Sequence, residues 1–271
     1  MTDSFNFDAY LNRIQYRGNF SPTLDALSDL LLAHTRNIPF ENLDVLLGRP
    51  IKLDIDSVQD KLVHHKRGGY CFEHGTLFAA ALERIGFQFE RHTARATLFV
   101  PRSEAPRTHM FLTVFLPEGR FAVDPGFGAL AARFPVPVPD GDESELQGDV
   151  PSHRLVQDGI YKVLRVQTDG KTTDVWSSNF EPDNLVDFVL GSHYTSTHPN
   201  SPFVQRIILR SFSGDKIVSA VNRDVKIRSN GETQSFQLAD RSELRALLVD
   251  HFGFDLPEIE HVRVPGIPEW L

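Results

Sequence analysis

The only cysteine of the chain, Cys71, follows the glycine pair Gly68-Gly69 and stands directly before a segment with helical periodicity. Apolar residues behind it recur on one helix face, at Leu77, Phe78, Ala81, Leu82 and Ile85. This spacing predicts a helix that ends near Gly86 and has Cys71 in its first turn. Unpaired backbone N–H groups and the positive end of the helix dipole favour an anionic sulfur there. The position is therefore typical of a reactive thiolate, although many free cysteines are small buried apolar residues.

A thiolate nucleophile needs a base, and the base needs an acceptor that orients it. His109 begins an apolar strand-like run, and Asp124 closes the next run after the turn Pro117-Glu118-Gly119-Arg120. A two-residue loop at Glu118-Gly119 puts both side chains on one face, four residues out of alignment. A turn centred on Leu116-Pro117 puts them directly opposite, and a three-residue loop puts them on different faces. The residues alone leave this register open, and they also allow an ordinary strand histidine and an Asp-Pro turn.

Composition limits the class of protein. The 271 residues are 41% hydrophobic, which allows a substantial core in two domains or one three-part unit. The 28 basic and 36 acidic side chains give a net charge of -8, which argues against nucleic acid or an anionic membrane as the partner. A single cysteine excludes an intrachain disulfide, and His64, His65 and His74 match no zinc pattern, so we expect no metal.

Targeting signals are not apparent in the sequence. The start, Met1-Thr2-Asp3-Ser4, lacks the basic residues and apolar run of a secretory signal, and no segment approaches the roughly 18 apolar residues of a membrane span. We therefore expect a cytoplasmic protein.

Helical patterns dominate the first 86 residues, and strand patterns follow. Three helical segments precede the cysteine helix: Phe7, Tyr10, Leu11 and Ile14; Leu24, Leu27, Leu30, Leu31 and His34 after Ser21-Pro22-Thr23; and Val58, Leu62 and Val63 after Ser57. Strands are predicted at residues 97–100, 110–115, 121–123, 161–167, 203–212 and 216–221. An exposed loop is predicted over residues 135–145, and a last helix from Ser242 to Phe252.

Five motifs resemble the arylamine N-acetyltransferase family and lie in the same order along most of the chain. They are residues 38–43 (Ile-Pro-Phe-Glu-Asn-Leu), 67–73 (Arg-Gly-Gly-Tyr-Cys-Phe-Glu), Thr108-His109, 124–128 (Asp-Pro-Gly-Phe-Gly) and 196–203 (Ser-Thr-His-Pro-Asn-Ser-Pro-Phe). The cysteine motif is highly specific. Pro125 departs from the alanine or valine that the family often has after the aspartate.

The resemblance implies an α+β fold with an N-terminal helical bundle (residues 1–86), a central β-barrel (87–190) and a C-terminal α/β lid (191–271), on a cysteine-protease-like core. It also implies a ping-pong acetyl transfer from acetyl-CoA, a co-substrate and not a tightly bound cofactor, to arylamines, arylhydrazines or arylhydroxylamines, as in xenobiotic metabolism. The oligomeric state, the physiological amine and the acyl-chain preference stay open.

Site residues follow from the same resemblance. Cys71 resembles the acetyl acceptor, His109 the base and Asp124 the residue that orients the histidine. The resemblance implies that Phe40, Phe127 and Phe203 belong to the acceptor pocket. It implies that Thr108, Gly126 and Gly128 belong to the acetyl-CoA site. Phosphate contacts are expected from Lys66, Arg67, Arg102 or Arg107. The alternatives are a thiol hydrolase or transglutaminase-like enzyme with the same triad, and a non-catalytic binding module.

Overall fold

A computed structural model describes residues 5–128, 130–142, 151–168, 170–213 and 215–271. Within these residues the fold combines α-helices with two antiparallel sheets. The helices are α1 (Phe7–Ile14), α2 (Leu24–Asn37), α3 (Leu43–Leu46), α4 (Ile55–Gln59), α5 (Cys71–Ile85), α6 (Leu185–Thr197), α7 (Pro202–Gln205) and α8 (Arg241–Leu247). The strands are β1 (Gln88–Ala96), β2 (Arg107–Leu116), β3 (Gly119–Val123), β4 (Val136–Pro137), β5 (Ser152–Asp158), β6 (Tyr161–Thr168), β7 (Lys171–Ser178), β8 (Ile208–Ser213), β9 (Lys216–Val221), β10 (Asp224–Ser229) and β11 (Glu232–Gln237).

The predicted N-terminal helices are confirmed. Thr23 caps α2 because its hydroxyl accepts a hydrogen bond from the N–H of Ala26 at 3.3 Å. The third helix begins at Ile55 and not at Ser57, since the Asp54 carboxylate caps it by accepting from the Ser57 N–H at 2.9 Å. This helix, α4, continues into a π-helical turn over Asp60–His64.

Helix α5 begins at the cysteine, as predicted. The Glu73 carboxylate accepts a hydrogen bond from the Tyr70 N–H at 3.0 Å, which fixes the residue before Cys71. The helix ends at Gly86, whose φ of 96° lies in the left-handed region. Its buried face packs with α1, α2 and β2 in one hydrophobic cluster.

A seven-stranded sheet in the order β4-β3-β2-β1-β7-β6-β5 lies against α5. Its edge strands β4 and β5 approach each other, so the sheet curls into a nearly closed barrel. Its inner side chains form a second cluster, which includes Phe111, Leu164 and Trp176.

The hairpin of β2 and β3 differs from each register left open by the sequence. Leu116 pairs with Gly119, so the two-residue loop is Pro117-Glu118. Continuing the register past the pair of Leu112 with Val123 places Asp124 opposite Phe111, two residues from His109. An even offset keeps both side chains on one face.

The second sheet has the order β11-β10-β9-β8 and forms a third cluster with α8 and the C-terminal segment. The last predicted helix is confirmed, but it begins at Arg241 after the cap Asp240 and becomes π-helical over Leu248–Phe252. Phe40 links this sheet to the cysteine segment, since it bridges both Gly69 and Arg210.

Three element predictions are wrong. Residues 98–100 are a bend with Phe99 86% exposed, and the strand lies earlier, in β1. Within the predicted loop 135–145, residues 136–137 form strand β4, because Val136 is buried and the N–H of Val138 donates to the carbonyl oxygen of Arg120. Residues 143–145 of that prediction lie outside the described residues. Residues 202–205 are the short helix α7, so that strand begins only at Ile208.

The division at residues 86 and 190 stays a prediction, and its second boundary falls inside α6. Among the residues that the structure describes, no helix is both long and apolar enough to cross a lipid bilayer.

Candidate active site

Cys71 is the first residue of α5 and is 4% exposed. Its Sγ lies 3.7 Å from the carbonyl oxygen of Thr108. Thr108 is the extra residue of a β-bulge, because Ala94 pairs with His109 whereas Arg95 pairs with Arg107. Such a bulge changes the direction of the strand and brings its start to the thiol.

His109 and Asp124 form a buried pair, with Nε2 of the histidine 2.9 Å from Oδ2 of the aspartate. The same Oδ2 accepts a hydrogen bond from Nε1 of Trp176 at 2.9 Å, and Oδ1 accepts one from the N–H of Gly126 at 3.3 Å. Asp124 is thus held by three donors. Trp176 lies on β7, far away in the sequence, and no local pattern indicates this contact.

The charge state of His109 follows from these neighbours. Burial lowers the pKa of His109, but the charge and hydrogen bond of Asp124, and then a hydrogen bond and the charge of Cys71, raise it to about 10. The ring is therefore an imidazolium at neutral pH. Because Nε2 donates to Asp124, Nδ1 is the nitrogen that serves the cysteine.

Gly126 lies directly against the start of α5. A Cβ at this position would be 2.7 Å from Cα of Cys71 and 2.9 Å from Cβ of His74. Only glycine permits this close approach, which brings the segment after Asp124 to the nucleophile.

The glycine pair before the cysteine likewise allows a close approach of the backbone, here to residues 38–41. A Cβ on Gly68 would overlap the carbonyl oxygen of Pro39, and the N–H of Glu41 donates to Gly69 at 2.9 Å. Arg67 donates to the Glu41 carboxylate at 2.6 Å and lies 3.2 Å from Asp44. Its guanidinium is thus committed to a buried ion cluster and does not face a substrate.

Of the three predicted pocket phenylalanines, Phe127 contacts the triad directly, and Phe40 and Phe203 contact each other. The Phe127 ring meets the His109 ring edge-on, with centroids 4.9 Å apart. Phe40 and Phe203 have centroids 6.1 Å apart. A Cβ on Gly128 would lie 3.3 Å from the Phe40 ring, so the segment 126–128 connects the two parts.

A chain of buried imidazoles beneath the cysteine was not predicted. The Tyr10 hydroxyl lies 3.0 Å from Nδ1 of His34, Nε2 of His34 lies 2.9 Å from Nδ1 of His74, and Nε2 of His74 lies 3.2 Å from the Pro39 carbonyl oxygen. Since the Pro39 oxygen can only accept, each group donates towards it, and both histidines are neutral. Burial lowers the pKa of His74 to about 4 and the pKa of His34 well below its usual value. His64 and His65 are exposed and take no part.

Comparison with known proteins identifies the family. A family model described as N-acetyltransferase matches residues 23–261. An arylamine N-acetyltransferase of Mycolicibacterium smegmatis is 32% identical over 262 residues, which cover 94% of each chain. The chain belongs to the arylamine N-acetyltransferase family.

Further members of this family support the assignment. A Salmonella typhimurium protein named arylamine N-acetyltransferase / N-hydroxyarylamine O-acetyltransferase is 30% identical over 257 residues, covering 93% of this chain and 90% of its own. The solved structure of the Mycobacterium marinum arylamine N-acetyltransferase in complex with CoA has a TM-score of 0.87 at 32% identity and covers 94% of each chain. The predicted α+β fold with a cysteine-protease-like core is confirmed, and so is the predicted family.

Proposed function

We propose that this N-acetyltransferase moves the acetyl group of acetyl-CoA to the nitrogen of arylamines, arylhydrazines or arylhydroxylamines through an acetyl-cysteine intermediate on Cys71. The main support is the placement of Cys71 on the first turn of α5, beside the imidazolium of His109. A thiolate paired with an imidazolium is a ready nucleophile, since no further proton transfer precedes its attack.

In the first half-reaction the Cys71 sulfur attacks the thioester carbonyl and forms a new C–S bond. Backbone N–H groups of the first turn of α5 stabilise the oxyanion. The bond to the CoA sulfur then breaks, and the imidazolium of His109 gives its proton to the departing sulfur. His109 is left neutral beside Asp124.

In the second half-reaction the amine nitrogen attacks the acetyl-cysteine carbonyl. Neutral His109 accepts the proton of the amine, and the bond to the Cys71 sulfur breaks. The thiolate and the imidazolium are thereby restored together with one molecule of amide. Asp124 stabilises the charge on His109 without taking its proton.

The aromatic acceptor is proposed to lie between Phe127 and the pair formed by Phe40 and Phe203. These rings offer edge and face contacts to an aryl group next to the nucleophile. Thr108, Gly126 and Gly128 are proposed to contact the pantetheine arm. Thr108 and Gly126 lie against Cys71, and Gly128 lies against Phe40, so the segment 126–128 runs from the nucleophile to the Phe40 ring. A cytoplasmic location and the three-domain division stay predictions.

Mass spectrometry of the protein incubated with acetyl-CoA alone tests the mechanism. We expect a gain of one acetyl group on the peptide that contains Cys71, and its loss when an arylamine or hydrazine is added. The Cys71→Ser variant should show neither. CoA release without retained acetyl would instead indicate a thiol hydrolase. Alkylation of Cys71 no faster than that of a free thiol would indicate a binding module.

A further inference from the structure

Asn42 follows Phe40 by two residues, and its side chain is buried although it takes no part in the chemistry proposed above. Its Nδ2 donates hydrogen bonds to the carbonyl oxygens of Phe203 at 2.8 Å and Arg206 at 2.7 Å. Its Oδ1 accepts a hydrogen bond from the N–H of Ile208 at 2.8 Å. Both hydrogens and the oxygen of this amide are therefore engaged, and all of their partners lie in one segment, residues 203–208.

The side chain of Asn42 continues a β-ladder that the main chain leaves. Phe40 and Arg210 exchange two backbone hydrogen bonds, at 2.8 and 2.9 Å, as an antiparallel pair. The next hydrogen-bonded pair of such a ladder would join residues 42 and 208. The backbone carbonyl of Asn42 instead accepts from the N–H of Val45 at 3.1 Å, at the start of α3. The side-chain oxygen of Asn42 takes the place of this carbonyl towards Ile208.

The same amide closes the end of the one-turn helix α7, which carries Phe203. The last carbonyl groups of a helix have no partner within it, and a helix of this length has little stability of its own. Asn42 supplies donors to two carbonyl groups there, those of Phe203 and Arg206. At the start of α7 the Ser201 hydroxyl accepts from the N–H of Phe203 at 3.3 Å. Polar side chains thus hold the backbone of Phe203 on both sides.

The Phe203 ring contacts two other rings of the candidate site. Its centroid lies 6.1 Å from that of Phe40 and 5.4 Å from that of Tyr70, the residue before the nucleophile. Residues 40–42 therefore hold both pocket rings, Phe40 as part of the segment itself and Phe203 through the amide of Asn42. The three hydrogen bonds of this amide all run to residues 203–208, and none of them reaches the triad.

We propose that Asn42 is a positioning residue for the aromatic acceptor. It holds Phe203 against Phe40, and so it determines how strongly the site favours aryl nucleophiles over small ones. This inference rests on the proposed function. Aromatic rings contact one another with a specific geometry of edges and faces, which is lost when one ring of the pocket moves. A pocket wall that is in place before the ligand arrives also lowers the entropy lost on binding.

The test compares phenylhydrazine with hydrazine as acceptors, because both attack through a hydrazine nitrogen and only one has an aromatic ring. In Asn42→Ala we expect kcat/KM for phenylhydrazine to fall on the order of tenfold, the size of one aromatic contact. We expect kcat/KM for hydrazine and for acetyl-CoA to stay as in the wild type, since neither the small acceptor nor the formation of acetyl-cysteine needs an aryl contact. If Asn42→Ala does not fold, Asn42→Asp serves instead, because its carboxylate keeps an oxygen for Ile208 and has no donor.

Asn37→Ala is the matched control. Nδ2 of Asn37 donates to the carbonyl oxygens of Ile14 at 2.8 Å and Ala33 at 2.9 Å, which is the same kind of contact, between α1 and α2. This variant should lower Tm, as Asn42→Ala should, and leave the preference for phenylhydrazine over hydrazine unchanged.

A double variant tests whether Asn42 acts through Phe203. Phe203→Leu should lower kcat/KM for phenylhydrazine by a factor similar to that of Asn42→Ala. The two changes together should lower it no further, since both remove the same contact.

Each other outcome overturns the inference. Equal losses with both acceptors, or a loss with acetyl-CoA, would show that Asn42 supports the site as a whole. Unchanged kinetics with phenylhydrazine would show that acceptor binding does not depend on Asn42. Additive losses in the double variant would show that Asn42 acts without Phe203, and a selective loss in Asn37→Ala would show a general effect of stability. Failure of the proposed function is distinct, because the wild type would then acetylate neither acceptor.

Discussion

The charge of Asp124 should control the reactivity of Cys71, and Asp124→Asn tests this. Asp124 is the main cause that raises the pKa of His109 from 6.5 to about 10 against the effect of burial. A difference of this size corresponds to roughly 5 kcal/mol in favour of the imidazolium. Asparagine removes the charge and leaves a single oxygen for the donors on His109 and Trp176. The imidazolium should then be lost at neutral pH.

The assay follows the protonation of His109 as a function of pH through the NMR chemical shifts of its ring nitrogens. In the wild type the imidazolium persists up to a pH near its pKa of about 10, so these shifts should be nearly constant between about pH 6 and 9. In Asp124→Asn the ring should lose its proton at a much lower pH, and alkylation of Cys71 by iodoacetamide at pH 7 should be slower. Acetyl transfer should fall on the order of ten-thousandfold, the size of loss known for such a change in a catalytic triad.

Asp174→Asn is the control, because Asp174 is exposed on the same strand as Trp176 and pairs with Arg165 at the surface. It should alkylate like the wild type. An Asp124→Asn protein that is folded, as shown by near-UV circular dichroism, and still has the flat pH profile would refute the reasoning. The negative charge of Asp124 would then be irrelevant to the ion pair.

Three further predictions concern the residues around the nucleophile. Gly126→Ala should greatly reduce acetyl transfer and lower Tm, since the new Cβ would lie 2.7 Å from Cα of Cys71. Gly141→Ala is the control and should change neither, because a Cβ at that position would have no atom within 4 Å. The free energy of unfolding should fall as pH drops from about 6.5 to about 4, because the depressed pKa of His74 means that it takes up a proton more readily in the unfolded chain. His74→Leu should remove this contribution and so reduce the change in unfolding free energy, measured by urea titration, by about 1.4 kcal/mol per pH unit. Lys61→Met should cost about 3–5 kcal/mol in the same titrations, because it leaves Glu73 and Asp44 without their shared buried cation. Arg245→Met, which breaks an exposed pair, is the control and should cost much less.

Local patterns predicted the elements that carry the chemistry. The periodicity of α5 and the glycine at its end place Cys71 on a first turn, and the apolar run after His109 predicts β2. Such features depend on neighbouring residues only, so a single sequence contains them. The strand predicted at residues 97–100 failed because aromatic and branched residues also occur in exposed bends, as Phe99 shows.

Long-range contacts could not be predicted in this way. Trp176 donates to Asp124 from a strand 52 residues later, and its partner follows from the order of strands in the barrel. The length of the hairpin loop decides whether His109 and Asp124 share a face, and the sequence allowed both two and three residues.

Polar contacts on two sides hold the start of α5. On one side Glu73 accepts from the Tyr70 N–H and pairs with Lys61 at 2.7 Å, which joins the helix to the buried carboxylates of the ion cluster. On the other side His74 donates to the Pro39 carbonyl and its ring stacks on Phe40 at 6.5 Å. Buried polar groups require well-defined geometry, since each loses much of its stabilisation when displaced. The position of the Cys71 sulfur relative to His109 is therefore fixed by directional contacts on both sides, and apolar packing alone would allow more freedom.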